Sequence, residues 1–121
     1  MRIRPNRKYK GQPCSYVGTG CAYEDIYGSE FTDPVPDGLR EDGWATLRKL
    51  NAYVRKHLPV KKQVYYKRGE RFKLRDFLKT NKGRAGVCVY GHFIYVRDDT
   101  YWSFFVNDND DVVCVWYIKE G

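Results

Sequence analysis

One stretch, Gly86 to Val106, limits what this chain can fold into. Val87, Val89, Phe93, Tyr95, Tyr101, Phe104 and Phe105 are β-branched or aromatic residues suited to a pleated, partly buried surface, and they predict three consecutive strands. Gly91 permits a tight turn just before His92. Asp98, Asp99 and Thr100 form the polar break that opens the next hairpin. His92 therefore starts the middle strand, held rigidly by apolar neighbours while free to face a cleft. It is the first candidate for chemistry.

The remainder of the chain reads in order. Residues 1–11 predict an irregular basic arm. Pro13 suits the start of a helix running to Tyr27, with Cys14 in its first turn. Val17, Cys21, Ile26 and Tyr27 keep a helical face that Gly18 and Gly20 weaken. The segment from Ser29 to Asp42 reads as a loop. Trp44, Leu47, Leu50, Val54 and Leu58 then recur at helical spacing, with Asp42 able to cap the start and Pro59 to stop the helix. His57 falls in the last turn, where a partly charged imidazole offsets the helix dipole. Val60 to Lys67 predicts a strand, and Phe72 to Lys79 a short amphipathic helix ended by Asn81, Lys82 and Gly83. Asn107 to Asp111 reads most simply as a solvated turn. Val112 to Ile118 is apolar at nearly every position, as in a central strand or one covered on both faces. The fold class is α+β, with N-terminal helices packed on a C-terminal antiparallel meander.

Bulk properties fit one domain of 121 residues, and hydrophobic residues at 42% exclude general disorder. The net charge of +7 admits an acidic partner. With basic residues scattered over helical faces and the arm, and no recognisable binding motif, only weak nucleic-acid binding is expected. No apolar run reaches the length of a membrane span, and Met1 to Pro5 lacks the apolar region of a signal peptide. The expectation is a soluble protein without membrane partner or cofactor.

Of four cysteines, Cys88 and Cys114 sit in apolar strand patterns as small buried hydrophobes. Cys14 and Cys21 have polar, glycine-rich surroundings. A zinc site from these two and a histidine would match no common finger spacing, so no metal is expected. Cys14 is the stronger nucleophile candidate, because the N–H groups of a helix start favour a thiolate; Cys21, preceded by Gly20, is the lesser. A thiolate nucleophile needs a general base and a group that orients it, brought together only by the fold. His92 fits the base. Gln12 could join the Cys14 N–H in binding an oxyanion.

The order of elements resembles the papain-like cysteine peptidases, in particular the short single-domain versions found in bacteriophage genomes. The resemblance rests on the Cys-led helix (Pro13-Cys14 to Tyr27) and on Asp42-Gly43-Trp44 opening the second helix. It continues through the Leu74 to Leu78 helix, the Gly91-His92 strand and a closing strand with Trp116. It spans nearly the whole chain. It implies Cys14 as nucleophile, His92 as general base, a peptide or protein substrate, and a location in the host cytoplasm or on the virion.

The departure lies at the third member. The family places an Asp or Asn on the strand after the histidine, where this chain has Tyr101, Trp102, Ser103, Phe104 and Phe105. Ser103 could accept the imidazole N–H, or Asn107 or Asp108 could come round from the turn. Three functional classes follow: a cysteine peptidase or related thiol amide hydrolase; a catalytically silent papain-like domain in a virion or host-interaction role; and a basic nucleic-acid-binding module with Tyr9, Tyr16, Tyr65 and Tyr66 as stacking surfaces.

Overall fold

The computed structural model describes residues 2–37, 39, 46–89, 92–104 and 107–120. In chain order its elements are β1 (Arg2–Ile3), α1 (Cys14–Tyr27), α2 (Leu47–His57), β2 (Val60–Tyr65), α3 (Leu74–Thr80), β3 (Arg84–Val89), β4 (His92–Arg97), β5 (Thr100–Trp102) and β6 (Val112–Ile118). The fold is α+β. Its sheet runs β1-β5-β4-β3-β6-β2, antiparallel throughout except where β1 lies parallel to β5.

Two expectations about connectivity are corrected. Only β3, β4 and β5 form a meander; β6 returns to the far side of β3 and also pairs with β2. A strand as apolar as β6 needs neighbours on both edges and cover on both faces, and this interior position provides them. Nor is the start of the chain an irregular arm. Arg2 and Ile3 pair with Tyr101 and Trp102, and Tyr9 is buried in the core.

The helices cover the two faces of the sheet. Val17, Cys21 and Ala22 of α1 and Leu50 and Val54 of α2 pack with Cys88, Phe93, Tyr95, Cys114 and Trp116. Leu74 and Phe77 of α3 pack on the opposite face, against Ala85, Val87, Val89, Ile94, Val96 and Val115. Helix α2 starts at Leu47, capped by the Thr46 hydroxyl, which accepts the Lys49 N–H at 3.1 Å. The expected cap Asp42 and the apolar Trp44 lie outside the described residues. On the buried side, the Trp116 indole donates to Asn51 Oδ1 at 2.9 Å, satisfying the polar atom of a large core side chain.

Helix α1 has no exposed polar stripe through its middle: Ser15 and every residue from Val17 to Ala22 are buried. The glycines expected to weaken it are what let it sit so deep. A Cβ on Gly18 would lie 2.5 Å from the Phe93 ring, and one on Gly20 2.6 Å from the Tyr9 hydroxyl. At its far end Asp25 accepts from the Tyr95 hydroxyl, from Arg97 Nη1 at 2.6 Å and from Arg84 Nε at 3.2 Å. This carboxylate is largely shielded, and its three partners from β3 and β4 offset the cost of burying it.

His57 departs from its expected charge. Its ring packs edge-on against Phe31 and Tyr53, with Nδ1 3.6 Å from Asp33. Burial pushes its pKa below the ordinary 6.5 despite the opposing pull of Asp33, so the neutral ring predominates at neutral pH. Its contribution to stability is full above the unfolded value and is lost as the pH falls through the lower folded value. His57→Gln should therefore flatten the loss of thermal stability just below pH 6.5, read as melting temperature against pH.

The glycine contacts give a second expectation. Gly18→Ala should cost about 2 kcal/mol, because overpacking against a buried ring outweighs the roughly 1 kcal/mol gained in helix propensity. Gly69→Ala, where an added Cβ meets nothing within 4 Å, should stay within about 0.5 kcal/mol of wild type in urea denaturation.

Candidate active site

On β4, strand β5 pairs with Tyr95 to Arg97, so among the described residues the first three positions of β4 have no strand partner on that side. The N-terminus of α1 fills this gap. Gly11, at φ +82°, turns the chain after the Arg7–Tyr9 turn and presents Gln12; Pro13 follows in extended conformation, and Cys14 begins the helix. Cys14 Sγ accepts the Phe93 backbone N–H at 3.4 Å, tying the helix start to the strand edge.

A cavity of about 270 Å³ opens here, lined by Gln12, Cys14, Val17, His92 and Phe93 together with Trp102 at the end of β5 and Ser103 and Phe104 just past it. The volume lies near the lower limit of ligand pockets, roughly 300 Å³, and suits a single side chain of a larger substrate. Of the candidates named from sequence, Gln12, Cys14, His92 and Ser103 meet at this one place. Their elements are far apart in sequence and converge because α1 lies along β4.

Asn107 and Asp108 do not line the cavity. Their turn serves α3 on the opposite face: the Asp108 and Asp110 carbonyls accept the Arg75 and Leu74 N–H groups at 2.8 and 2.9 Å. Asn107 Oδ1 accepts the Asn109 N–H, and Asp111 is paired with Lys73 at 2.9 Å. The run is an exposed turn, as expected, and its carbonyls also cap a short helix.

The register also constrains His92. Residues paired across neighbouring strands share a face, so Cys88 with Phe93 and Gly86 with Tyr95 lie toward α1. Val87 with Ile94 and Ala85 with Val96 lie toward α3. His92, opposite Val89, takes the α3-side parity at the cavity rim. It lines the cavity together with Cys14, whose sulfur accepts the Phe93 N–H.

The other thiols are set apart by burial. Cys21 is 5% exposed and, contrary to its expected polar setting, lies in the core with its pKa pushed up to about 12 by desolvation. Cys88 is likewise raised to about 12, and Cys114, its direct partner across β3 and β6, is also raised by burial. Both remain free thiols in the core, as the strand pattern predicts. Cys14 alone is half-exposed. Among the described residues, no group of three or more His, Cys, Asp or Glu is placed to hold a metal ion, and no helix is long and apolar enough to cross a membrane.

The Phe93 N–H and the aromatic walls Trp102 and Phe104 escaped the reading of the sequence. Their signal was indirect: a run of aromatics broken by Ser103 marks where β5 leaves the sheet. No family model, curated protein or solved structure matches this chain.

The thiols should separate kinetically. Iodoacetamide at neutral pH is expected to label Cys14 at least tenfold faster than Cys21, Cys88 or Cys114, because only exposed thiolates react at an appreciable rate. Peptide mapping by mass spectrometry checks the order; faster labelling of a core thiol would contradict the assignment.

Proposed function

We propose that the Cys14 cavity is a thiol hydrolase site of the papain-like kind, acting on a peptide or isopeptide bond. The observation that carries this reading is the meeting of Cys14, at the start of a 14-residue helix, with His92, Gln12 and Ser103 around one cavity. A helix start presents N–H groups that favour an anion, both on the attacking sulfur and on the oxygen of a tetrahedral intermediate.

In this reading Cys14 Sγ gives its proton to the His92 imidazole and attacks the substrate carbonyl carbon. The carbonyl oxygen takes the negative charge, facing the Cys14 N–H and the Gln12 amide. Collapse expels the amine, protonated by the imidazolium, and leaves a thioester on Cys14. Water, deprotonated by His92, then releases the acid and restores the thiol. His92 is the first residue of β4 and lines the same cavity as the sulfur.

Two observations favour a second reading, a catalytically silent papain-like domain that binds peptides in a virion or host-interaction role. The sulfur is already engaged by the Phe93 N–H, and Ser103 stands where the papain-like pattern places a carboxylate or amide. A neutral hydroxyl stabilises imidazolium less than a carboxylate does.

The pH dependence of Cys14 alkylation separates the two. A thiolate–imidazolium pair keeps alkylation fast at mildly acidic pH, and His92→Ala should then slow it about tenfold near pH 6 while leaving the rate at pH 9 unchanged. Ser103→Asp should raise the acidic-side rate. If alkylation follows a single thiol titration that neither substitution alters, and no peptide library is cleaved, the hydrolase reading fails and the binding reading stands.

A further inference from the structure

The positive charge of this chain is not spread as its sequence first suggests. Between Thr46 and Lys73 there are ten Lys or Arg and one acid, Glu70, a net of +9 against +7 for the entire chain. Everything outside this segment is net acidic. The segment consists of α2, β2 and the Arg68–Glu70 turn, which follow one another in the chain, with β2 the last strand of the sheet.

Its cations come as four doublets: Arg48-Lys49, Arg55-Lys56, Lys61-Lys62 and Lys67-Arg68. The first two are seven residues apart on α2, two helical turns, and so share a face. All eight residues are exposed: four on the side of α2 away from Leu50 and Val54, Lys61 and Lys62 on β2, with Lys62 over the Tyr117 ring on the α3 side, and Lys67 and Arg68 just past the strand. Among the described residues, Lys73 alone of the ten cations has a carboxylate within ion-pairing distance, Asp111. Helix and strand are joined side by side, with Arg55 Nη2 3.4 Å from Gln63 Oε1. Strand β2 is the last in the sheet, with one edge unpaired, and carries Tyr65, 50% exposed, with Arg71 Nη2 3.4 Å from its hydroxyl.

We propose that the outer face of α2 and the β2 edge form a binding surface for single-stranded nucleic acid, with the Lys and Arg doublets on phosphates and Tyr65 as a stacking platform. Unpaired cations in a row are the electrostatic requirement for tracking a phosphate backbone, and an exposed aromatic among them supplies the base contact that a polyanion without bases cannot use. The surface lies at the β2 edge, whereas the Cys14 cavity lies between β4 and β5, so the two proposals stand or fall separately.

The test uses the full chain and fluorescence anisotropy of a labelled thymidine 20-mer, with polyphosphate and poly-glutamate as competitors. Binding should weaken about 60-fold between about 50 and about 200 mM salt, the response of a single strand held through four to five phosphates. Lys61→Glu/Lys62→Glu and Arg48→Glu/Arg55→Glu should each weaken it at least tenfold at low salt, whereas Arg7→Glu/Lys10→Glu should change it less than threefold. Tyr65→Ala should reduce affinity for the oligonucleotide about tenfold and leave that for polyphosphate unchanged. Folding of every variant is checked by circular dichroism, and wild-type binding is measured first. No oligonucleotide binding by the wild type at low salt overturns the proposal. So does equal loss in the Arg7/Lys10 variant. Poly-glutamate competing as well as the oligonucleotide, with no effect of Tyr65→Ala, overturns it in favour of an acidic polypeptide partner.

Discussion

The arrangement depends on how closely α1 approaches β4. Gly18 sits directly against the Phe93 ring, and no larger residue fits there without displacing a fully buried aromatic. Three contacts hold the helix along the strand in this position: the Cys14 sulfur on the Phe93 N–H, the Gly18–Phe93 contact, and Asp25 on Tyr95 and Arg97. A helix anchored at its start, middle and end has little freedom to tilt or slide. That rigidity sets where Cys14 lies and brings its cavity to the end of β5.

The same approach explains why the site occupies an edge. Because β5 is only three residues long, β4 leaves the Phe93 N–H without a strand partner, and a sulfur at a helix start takes its place. An unpaired strand edge invites association with other chains. Here it is covered by the helix start and by Trp102 and Phe104, which also wall the cavity. The opposite edge of the sheet, β2, is managed differently, with exposed lysines and, among the described residues, no further strand on its outer side. Lysines on an edge oppose strand-to-strand aggregation; the doublets on the adjoining helix face, without an ion-paired carboxylate among the described residues, extend beyond that need.

The sheet separates two environments that serve different ends. Its α1/α2 face holds large aromatics, the Asn51–Trp116 bond and the three core cysteines. Its α3 face is aliphatic at β3 and β4, carries Tyr101 and Tyr117 on β5 and β6, and is closed by a seven-residue helix too short to be stable alone. That helix is retained by Leu74 and Phe77 in the core and by the carbonyls of the Asp108–Asp110 turn on its first N–H groups. An acidic run that reads as solvent-exposed thus acts mainly through its backbone.

The sequence by itself determined the elements and the class: the β-branched and aromatic residues of β3 and β4, the continuous apolar run of β6, the apolar spacing of α2, and Pro13 ahead of a helix led by Cys14 are local patterns, and local sterics and periodicity dictate them. It also picked out Gln12, Cys14, His92 and Ser103, which line one cavity in the structure. Only the tertiary structure decided what depends on packing across distant segments. It drew Arg2 and Ile3 into the sheet, placed β6 between β3 and β2, buried Cys21, and turned Asn107 and Asp108 to α3. It made Gly18 and Gly20 contact points rather than weak spots in a helix. His92 shows the division most sharply: its residue type and strand were legible, but the face it takes follows from its register against Val89. Register is a property of two strands held together by a buried core, and no single stretch of chain carries it.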